Sequence, residues 1–222
     1  MSVGGSLIVP DQVDTDFLSQ LKKLVEGETA KGRHFIIIAG GGKTARRYQE
    51  AAETVAELDP EDLDWMGIHS TRLNGHLLRT IFREIAYPVM ITNPDDILDV
   101  PVNTKLVIGA GYRPGASSDL RAVQIANRRE ATKIINLSNI DYVYTADPKK
   151  DPNAEKITNI SWTDFRKLIP SEWDPGLSSP FDPVAAKLAE EKGIEVANIN
   201  GARLEELEKY LNGEKFIGTR IH

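Results

Sequence analysis

The sequence contains no cysteine, so disulfide bonds and thiolate metal sites are excluded, and a reducing compartment is compatible with the composition. It also has no apolar run approaching the roughly 18 to 20 residues that a membrane-spanning helix requires. The N-terminus lacks a basic segment followed by a long apolar stretch, so no secretory signal is predicted. We therefore expect a cytoplasmic protein without a membrane partner.

The chain likewise lacks an excess of positive charge. It carries 27 lysines and arginines against 33 aspartates and glutamates, which gives a formal net charge of −6. Because nucleic-acid-binding surfaces are normally basic, no nucleic-acid partner is expected. The four histidines show no close metal-ligand spacing, so no metal site is predicted within the protein. A phosphate-bearing ligand would need a local concentration of positive charge.

Two common nucleotide-binding motifs are missing, the Walker A loop and the six-residue dinucleotide fingerprint. In their place, glycine-rich turns follow three strand-like runs, at Gly4–Ser6, Gly40–Gly42 and Gly109–Gly111. Glycine lets backbone N–H groups approach an anion closely, and a helix that starts at the turn adds its partial positive charge. Three such turns predict a ligand rich in phosphate.

β-branched runs alternate with amphipathic helical segments along the chain, which is typical of parallel strands joined by helices and predicts an α/β fold. The segment 145–183 is rich in Pro, Asp, Ser and Lys, and we interpret it as a functional loop with one short helix. Strands are predicted at 35–39, 89–91, 106–108, 134–137, 196–199 and 216–221, and helices at 17–25, 45–58, 73–85, 119–129, 163–169, 183–192 and 202–211.

The second glycine turn carries a cluster of cations. The segment GGGKTARRY places Lys43, Arg46 and Arg47 in the first turns of a helix that follows a strand. Cations at a helix N-terminus oppose the helix dipole, so this placement is unfavourable unless the cations meet an anion. The alternative is a solvated basic helix face without a ligand.

Five segments, in order along nearly the whole chain, resemble the archaeal-type uridylate (UMP) kinases of the amino acid kinase superfamily. They are GGGKTARRY at 40–48, DWMGIHSTRLNG at 64–75, GAGYRPGASSD at 109–119, NIDYVYTADPKKDP at 139–152 and SPFDPVAAKLA at 179–189. The TRLN segment is the most discriminating, because carbamate, aspartate, glutamate and acetylglutamate kinases do not usually carry it.

The resemblance implies a three-layer αβα sandwich around a mostly parallel central sheet, formed as a single domain over 1–222. Its acceptor-binding part would span about 1–130 and its nucleotide-binding part about 131–222. The implied activity is transfer of the γ-phosphoryl group of ATP, with Mg²⁺, to UMP, which gives UDP in pyrimidine nucleotide synthesis. The implied assembly is a homo-oligomer, often a hexamer built from dimers.

The resemblance also assigns roles to individual residues. Asp119 would organise the catalytic site, because the matching aspartate of the family orients positive groups near the transferring phosphoryl. The residues implied for UMP are Gly41, Gly42, Arg46, Asp64 and Ser118, and those implied for ATP are Gly4, Gly5, Ser6, Asn139, Asp141, Tyr144 and Asp147.

Two positions depart from the family pattern. The first strand of the family normally ends in Lys-x-Gly-Gly, and the lysine that neutralises the phosphoryl group is replaced by Ser2. Lys43 and Lys156 are candidate catalytic replacements, and both are also compatible with ordinary surface lysines. Tyr142 stands where the family has glycine, which adds bulk near the expected adenine or ribose site.

Several of these residues have structural alternatives. Asp64, Asp119 and Asp182 are placed where helices could begin, so each is also a candidate N-cap, and for Asp182 we favour that interpretation. Tyr144 is compatible with a strand core, and Asn139 and Asp141 with a turn. Two functional alternatives also stay open. One is a kinase for another small acidic acceptor, such as isopentenyl phosphate or an amino acid, and the other is a non-catalytic nucleotide sensor or storage protein.

Overall fold

A seven-stranded sheet forms the centre of the computed structural model, which describes residues 1–172 and 179–222. The strand order is β3-β2-β1-β4-β8-β9-β7, and a separate two-stranded hairpin is formed by β5 and β6. The strands are β1 (Ser2–Val3), β2 (Phe35–Ala39), β3 (Leu106–Gly109), β4 (Lys133–Ser138), β5 (Val143–Tyr144), β6 (Lys156–Ile157), β7 (Asn159–Ile160), β8 (Glu195–Asn200) and β9 (Thr219–Ile221).

Helices cover both faces of the sheet. One apolar core lies between the sheet and the helices α2, α4 and α8, and a second lies between the sheet and α5, α6 and α7. The helices are α1 (Gly5–Ile8), α2 (Thr15–Ala30), α3 (Gly42–Val55), α4 (Pro60–Ile81), α5 (Ser118–Arg128), α6 (Trp162–Leu168), α7 (Pro183–Glu191) and α8 (Leu204–Leu211), with a 3₁₀-helix at Pro94–Asp99. The predicted three-layer αβα fold is confirmed.

Helix α2 shows how local sequence fixes an element. Asp14 caps it by accepting a hydrogen bond from the Phe17 amide at 2.9 Å, and Phe17, Leu21 and Val25 are buried on one face. At its other end the buried Glu28 pairs with Lys31 and Arg33, although burial alone would raise the pKa of Glu28. Lys31 and Arg33 hold the pKa of Glu28 below its ordinary value, so this buried carboxylate is ionised and paired.

The direction of the strands decides where the glycine turns lie. Strands β3, β2, β1, β4 and β8 are all parallel, whereas β9 runs antiparallel to β8, and β7 runs in the same direction as β9. The carboxyl ends of the five parallel strands therefore meet at one edge of the sheet, which is where open α/β sheets bind ligands. The three glycine turns follow β1, β2 and β3 at this edge.

One predicted strand is absent as a strand, and one helix and one strand begin at other residues than predicted. Residues 89–91 form only an isolated bridge between Ile91 and Gly109, because Pro88 and Pro94 flank them and restrict pairing. Helix α4 begins at Pro60 and not at residue 73, since Asp59 and Pro60 provide a helix start that the half-exposed first turns conceal. The last strand begins at Thr219, because the Ile217 amide donates to Glu206.

The segment 145–183 holds more structure than predicted. It contains β6, β7 and α6, and the predicted short helix at 163–169 corresponds to α6. Residues 173–178 of this segment lie outside the described residues. No helix within 1–172 and 179–222 is both long and apolar enough to cross a membrane.

Candidate active site at the carboxyl edge of the sheet

The first two glycine turns are pressed together backbone against backbone. A Cβ atom at Gly5 would overlap the main chain of Gly41 and Gly42, and one at Gly42 would overlap the main chain of Gly5. Gly42 also has a φ of +65°, which residues with a side chain rarely adopt. Helices α1 and α3 can therefore start side by side only because glycine occupies these positions.

The N-terminus of α3 has no side-chain cap. Gly41 occupies the N-cap and supplies no side-chain hydrogen bond, and the Lys43 amide in the first turn donates to the Val9 carbonyl oxygen at 3.2 Å. Arg46 is exposed and forms no hydrogen bond or ion pair with any described residue. Lys43 and Arg47 instead bind Asp11, at 3.2 Å and 2.6 Å. Of the three predicted cations, Arg46 is the one available to an anion.

The TRLN segment of α4 fastens the second glycine turn to the third. Asn74 donates to the carbonyl oxygens of Gly40 and Gly41, at 2.8 Å and 3.1 Å. Thr71 accepts from the Gly111 amide at 2.8 Å, and Arg72 donates to the Gly111 carbonyl at 3.0 Å. The sequence prediction assigned no role to these three side chains, although the motif itself was the signal for them.

Asp64 closes the third turn. It is the fifth residue of α4, so it is not an N-cap, and its Oδ2 accepts from the Gly115 amide at 2.8 Å. Ser118 is the first residue of α5, and the preceding Ser117 caps that helix by accepting from the Leu120 amide. Asp64 and Ser118 thus flank the loop that follows β3, on opposite sides.

Asp119 lies in the first turn of α5 and faces β1. Its Oδ1 accepts from the Ser2 hydroxyl at 3.0 Å, and its Oδ2 accepts a long bond of 3.4 Å from the Asp182 amide. Burial raises the pKa of Asp119 to about 6; the Ser2 hydrogen bond opposes the rise and the Asp182 charge adds to it. At the position where the family pattern has lysine, the described structure has a buried hydroxyl that carries no charge.

Asp182 forms a carboxylate pair with Asp119. It caps α7 by accepting from the Ala185 amide at 2.6 Å, as its structural interpretation predicted. Burial raises the pKa of Asp182, and hydrogen bonds from Ala185, Ser117 and Val184 oppose that rise. Neither carboxylate has an ion-pair partner among residues 1–172 and 179–222. A cationic ligand would therefore be favoured between them.

The residues predicted to line the ATP pocket follow β4. Asn139 is exposed, whereas Asp141 accepts from Asn200 at 2.7 Å and from Arg203 at 3.1 Å. Asp147 accepts from the Lys149 amide and so belongs to a turn of its own. Asp141 and Asp147 therefore have internal partners that a nucleotide would have to share.

Tyr144 lies in β5, where it is paired with Lys156 of β6. The Lys156 ammonium lies 5.2 Å from the ring centre of Tyr142, within the range of a cation–π contact. Neither Lys43 nor Lys156 forms a hydrogen bond or ion pair with Asp119. Among the described residues, no group of three or more His, Cys, Asp or Glu side chains is placed to hold a metal ion.

Known proteins place the chain in a family. A sequence profile described as the amino acid kinase family matches residues 1–200. The chain belongs to the amino acid kinase family. A uridylate kinase of Methanocorpusculum labreanum is 36% identical over 222 residues, which is 100% of this chain and 94% of the relative. A uridylate kinase of Thermococcus kodakarensis is 34% identical over 187 residues, covering 83% and 82% of the two chains.

Solved structures agree with this membership. A uridylate kinase from Archaeoglobus fulgidus has a TM-score of 0.85 and 29% identity, with 100% of this chain and 98% of that chain covered. A UMP kinase from Bacillus anthracis has a TM-score of 0.81 at 18% identity, covering 100% and 93%, and shows the shared fold alone. The predicted superfamily is confirmed, whereas the roles of the individual site residues stay predictions.

We predict that Gly5→Ala destabilises the protein by about 1 to 3 kcal/mol, because the added methyl group forces two backbones apart. Urea unfolding measures the change in the free energy of unfolding. Gly27→Ala is the matched control, since no heavy atom lies within 4 Å of the added Cβ and alanine favours a helix. Equal effects of the two substitutions would contradict the contact between the turns.

We predict that Asp119→Asn stabilises the folded protein at pH 8 by on the order of 1 to 2 kcal/mol and has no such effect at pH 4. The pKa of Asp119 is about 6 in the folded protein and 3.8 ordinarily, because burial disfavours the ionised carboxyl. The cost of burying Asp119 is therefore largest at pH values where this carboxyl is ionised. The contribution of Asp119 to the free energy of unfolding should therefore fall as pH rises from about 4 to about 6. Urea unfolding at both pH values tests this, and an equal difference at each would refute it.

Proposed function

We propose that the protein transfers the γ-phosphoryl group of ATP to UMP and so forms UDP in pyrimidine nucleotide synthesis. The main support is that three glycine turns lie at one sheet edge, and that Arg46, in the helix that starts at the second turn, has no ion-pair partner among the described residues. Uridylate kinases that match this chain over all or most of its length support the choice of reaction and acceptor. The predicted cytoplasmic location and the absence of nucleic-acid partners belong to the same proposal.

The acceptor half of the site uses the second and third turns. Gly41, Gly42 and Arg46 would bind the UMP phosphate through backbone N–H groups, the helix dipole and a charge-assisted hydrogen bond. Asp64 uses one oxygen for the Gly115 amide, so its other lone pairs are available to a ribose hydroxyl. Ser118, at the start of α5, would contact the same phosphate.

The donor half uses the first turn and the segment after β4. Gly4, Gly5 and Ser6 would approach the ATP phosphates, and Asn139, Asp141, Tyr144 and Asp147 would line the nucleoside pocket. The Asp119–Asp182 pair suits Mg²⁺, which prefers a few carboxylate oxygens together with substrate phosphates and water. Bound with ATP, Mg²⁺ would neutralise phosphate charge. Asp119 and Asp182 are the residues that would hold this ion.

The proposed reaction also needs positive charge from the protein next to the transferring phosphoryl group. Phosphoryl transfer depends on positioning and on neutralising charge at the phosphates, and Ser2 contributes none. Lys43 is a candidate for this role because its contact with Asp11 is exposed, and exposed pairs are worth about 1 kcal/mol or less. A phosphate would exchange for Asp11 at little cost. Lys156 is the second candidate, because it lies on the hairpin with Tyr144.

A second candidate function is nucleotide binding without turnover, as in a sensor or storage protein. The observation in its favour is the uncharged Ser2 hydroxyl against Asp119. Transfer to another acidic acceptor is the remaining alternative. Calorimetry that shows tight binding of UMP and ATP without ADP formation would identify the sensor, and a panel with CMP, dUMP, isopentenyl phosphate or no acceptor would separate the kinases.

We predict that Arg46→Ala lowers kcat/KM for UMP about a hundredfold, because one charged donor to the acceptor phosphate contributes on that order. Coupled detection of ADP formation with purified protein measures it. Arg47→Ala is the matched control, since Arg47 already binds Asp11 and should change kcat/KM by less than about fivefold. Full activity of Arg46→Ala would remove Arg46 from the acceptor site.

We also propose that a second copy of the chain covers the outer faces of α3 and α4. Helix α3 has no buried residue, although Tyr48 is exposed beside Trp65 and Leu73 of α4 and a groove of about 610 Å³ runs between the helices. In a two-fold contact centred near Trp65, Asp62 of one copy would meet His69 of the other. That complementarity favours a like partner, and the predicted hexamer would use this dimer.

We predict that Leu73→Glu dissociates the dimer, because a carboxylate would lose its hydration in the apolar contact. Light scattering after size-exclusion chromatography gives the mass in solution. Val102→Glu is the control, because Val102 is 84% exposed and does not line the groove. A wild-type protein that is monomeric at micromolar concentration would disprove the proposed contact.

A further inference from the structure

Four polar side chains cross the central sheet in one row just below its carboxyl edge. Ser2 is the cross-strand partner of Asn136, Asn136 of Asn198, and Asn198 of Thr219. None of the four is more than 5% exposed. Strands covered on both faces are usually continuous apolar runs, and a buried polar group costs free energy unless it is hydrogen-bonded. This polar row therefore requires an explanation beyond packing.

The side-chain hydrogen bonds that join the polar row to other residues all involve segments of the candidate site. Ser2 donates to Asp119, and Asn136 donates to the Pro180 carbonyl oxygen at 3.1 Å. At the far end, the Thr219 hydroxyl accepts from the Val143 amide at 2.8 Å and donates to the Ile157 carbonyl at 2.5 Å. The row thus connects the sheet with α5, with the turn before α7 and with the β5–β6 hairpin.

The middle of the row contacts the turn that carries Asp182. Asn136 Nδ2 also donates to Asn198 Oδ1 at 3.1 Å, so one amide group is shared between its neighbour and Pro180. Pro180 stands two residues before Asp182, whose amide reaches Asp119 at 3.4 Å. The Nδ2 of Asn198 has no partner within the described part of the chain. An unpaired buried amide costs free energy, and such a group in a folded protein requires an explanation, for example that it fixes a functional geometry.

We propose that Asn136 is a positioning residue that sets the Pro180–Asp182 turn and so holds the Asp182 amide against the Asp119 carboxylate. The inference rests on the proposed function, because the two carboxylates act on the donor phosphates there. Among the described residues, the Asn136 amide donates to Pro180 and Asn198 and not to Asp119, so it acts through Pro180. Displacing reacting groups by about 1 Å commonly costs a hundredfold in rate.

The test replaces both amides in the variant Asn136→Val/Asn198→Val. Valine suits a buried strand, and removing both side-chain amides leaves neither unpaired, while the Pro180 carbonyl oxygen belongs to a half-buried residue that water can reach. The melting temperature should therefore stay within about 5 °C of wild type. We expect kcat to fall about 10- to 100-fold while KM for UMP changes less than about twofold, because the acceptor residues lie elsewhere. Unchanged kcat in a protein that phosphorylates UMP overturns the proposal.

A second measurement does not depend on turnover. In ¹⁵N-labelled protein, Asp119→Asn should shift the Asp182 amide signal, because this amide donates to the Asp119 carboxylate at 3.4 Å. In the double variant the turn is displaced, so adding Asp119→Asn should leave the Asp182 signal in place. A double variant whose Asp182 amide still responds to Asp119→Asn as in wild type overturns the proposal.

Two controls complete the experiment. Asn198→Val retains the bond from Asn136 to Pro180 and should keep the response of the Asp182 amide to Asp119→Asn. Thr29→Val removes a buried side-chain hydrogen bond in α2, far along the chain from the site, and should leave kcat unchanged. If wild type does not phosphorylate UMP, the proposed function fails, and the Asp182 amide signal still decides whether Asn136 positions the turn.

Discussion

The contact between the backbones of the first two glycine turns is the constraint on which the candidate site depends. Gly5 and Gly42 exclude side chains from each other's space, and this brings the starts of α1 and α3 together at the ends of neighbouring strands. Adjacent helix starts concentrate N–H groups and partial positive charge in one place. A phosphate site can therefore form without a Walker A loop.

Helix α4 extends this arrangement to the third turn. Its TRLN segment forms hydrogen bonds with Gly40 and Gly111. Asp64, which precedes that segment in the same helix, accepts a hydrogen bond from the Gly115 amide. Because side chains of a single rigid helix make all of these bonds, the second and third turns keep a fixed separation. The same helix presents Trp65 and Leu73 outward, so an interface between copies would lie directly behind the acceptor site.

The charges of the site are unevenly distributed. Asp119 and Asp182 lie close together without a cationic partner among the described side chains, and Arg46 has no anionic partner among them. Burial of the two carboxyls disfavours their ionised forms, and under the proposed function a metal–nucleotide complex would relieve that cost. Ser2 contributes a hydroxyl in this setting, so its effect is orientation of Asp119 and not neutralisation.

The sequence by itself determined the fold class, the family and the glycine turns, because strand and helix periodicity and ordered motifs are local properties. Only the tertiary structure decided which groups pair, since each pair joins residues distant in sequence. Lys43 binds Asp11, Asp64 binds Gly115, and Asn136 meets Pro180. Sequence spacing gives no sign of such contacts, because they arise only when parallel strands bring their carboxyl ends to one edge.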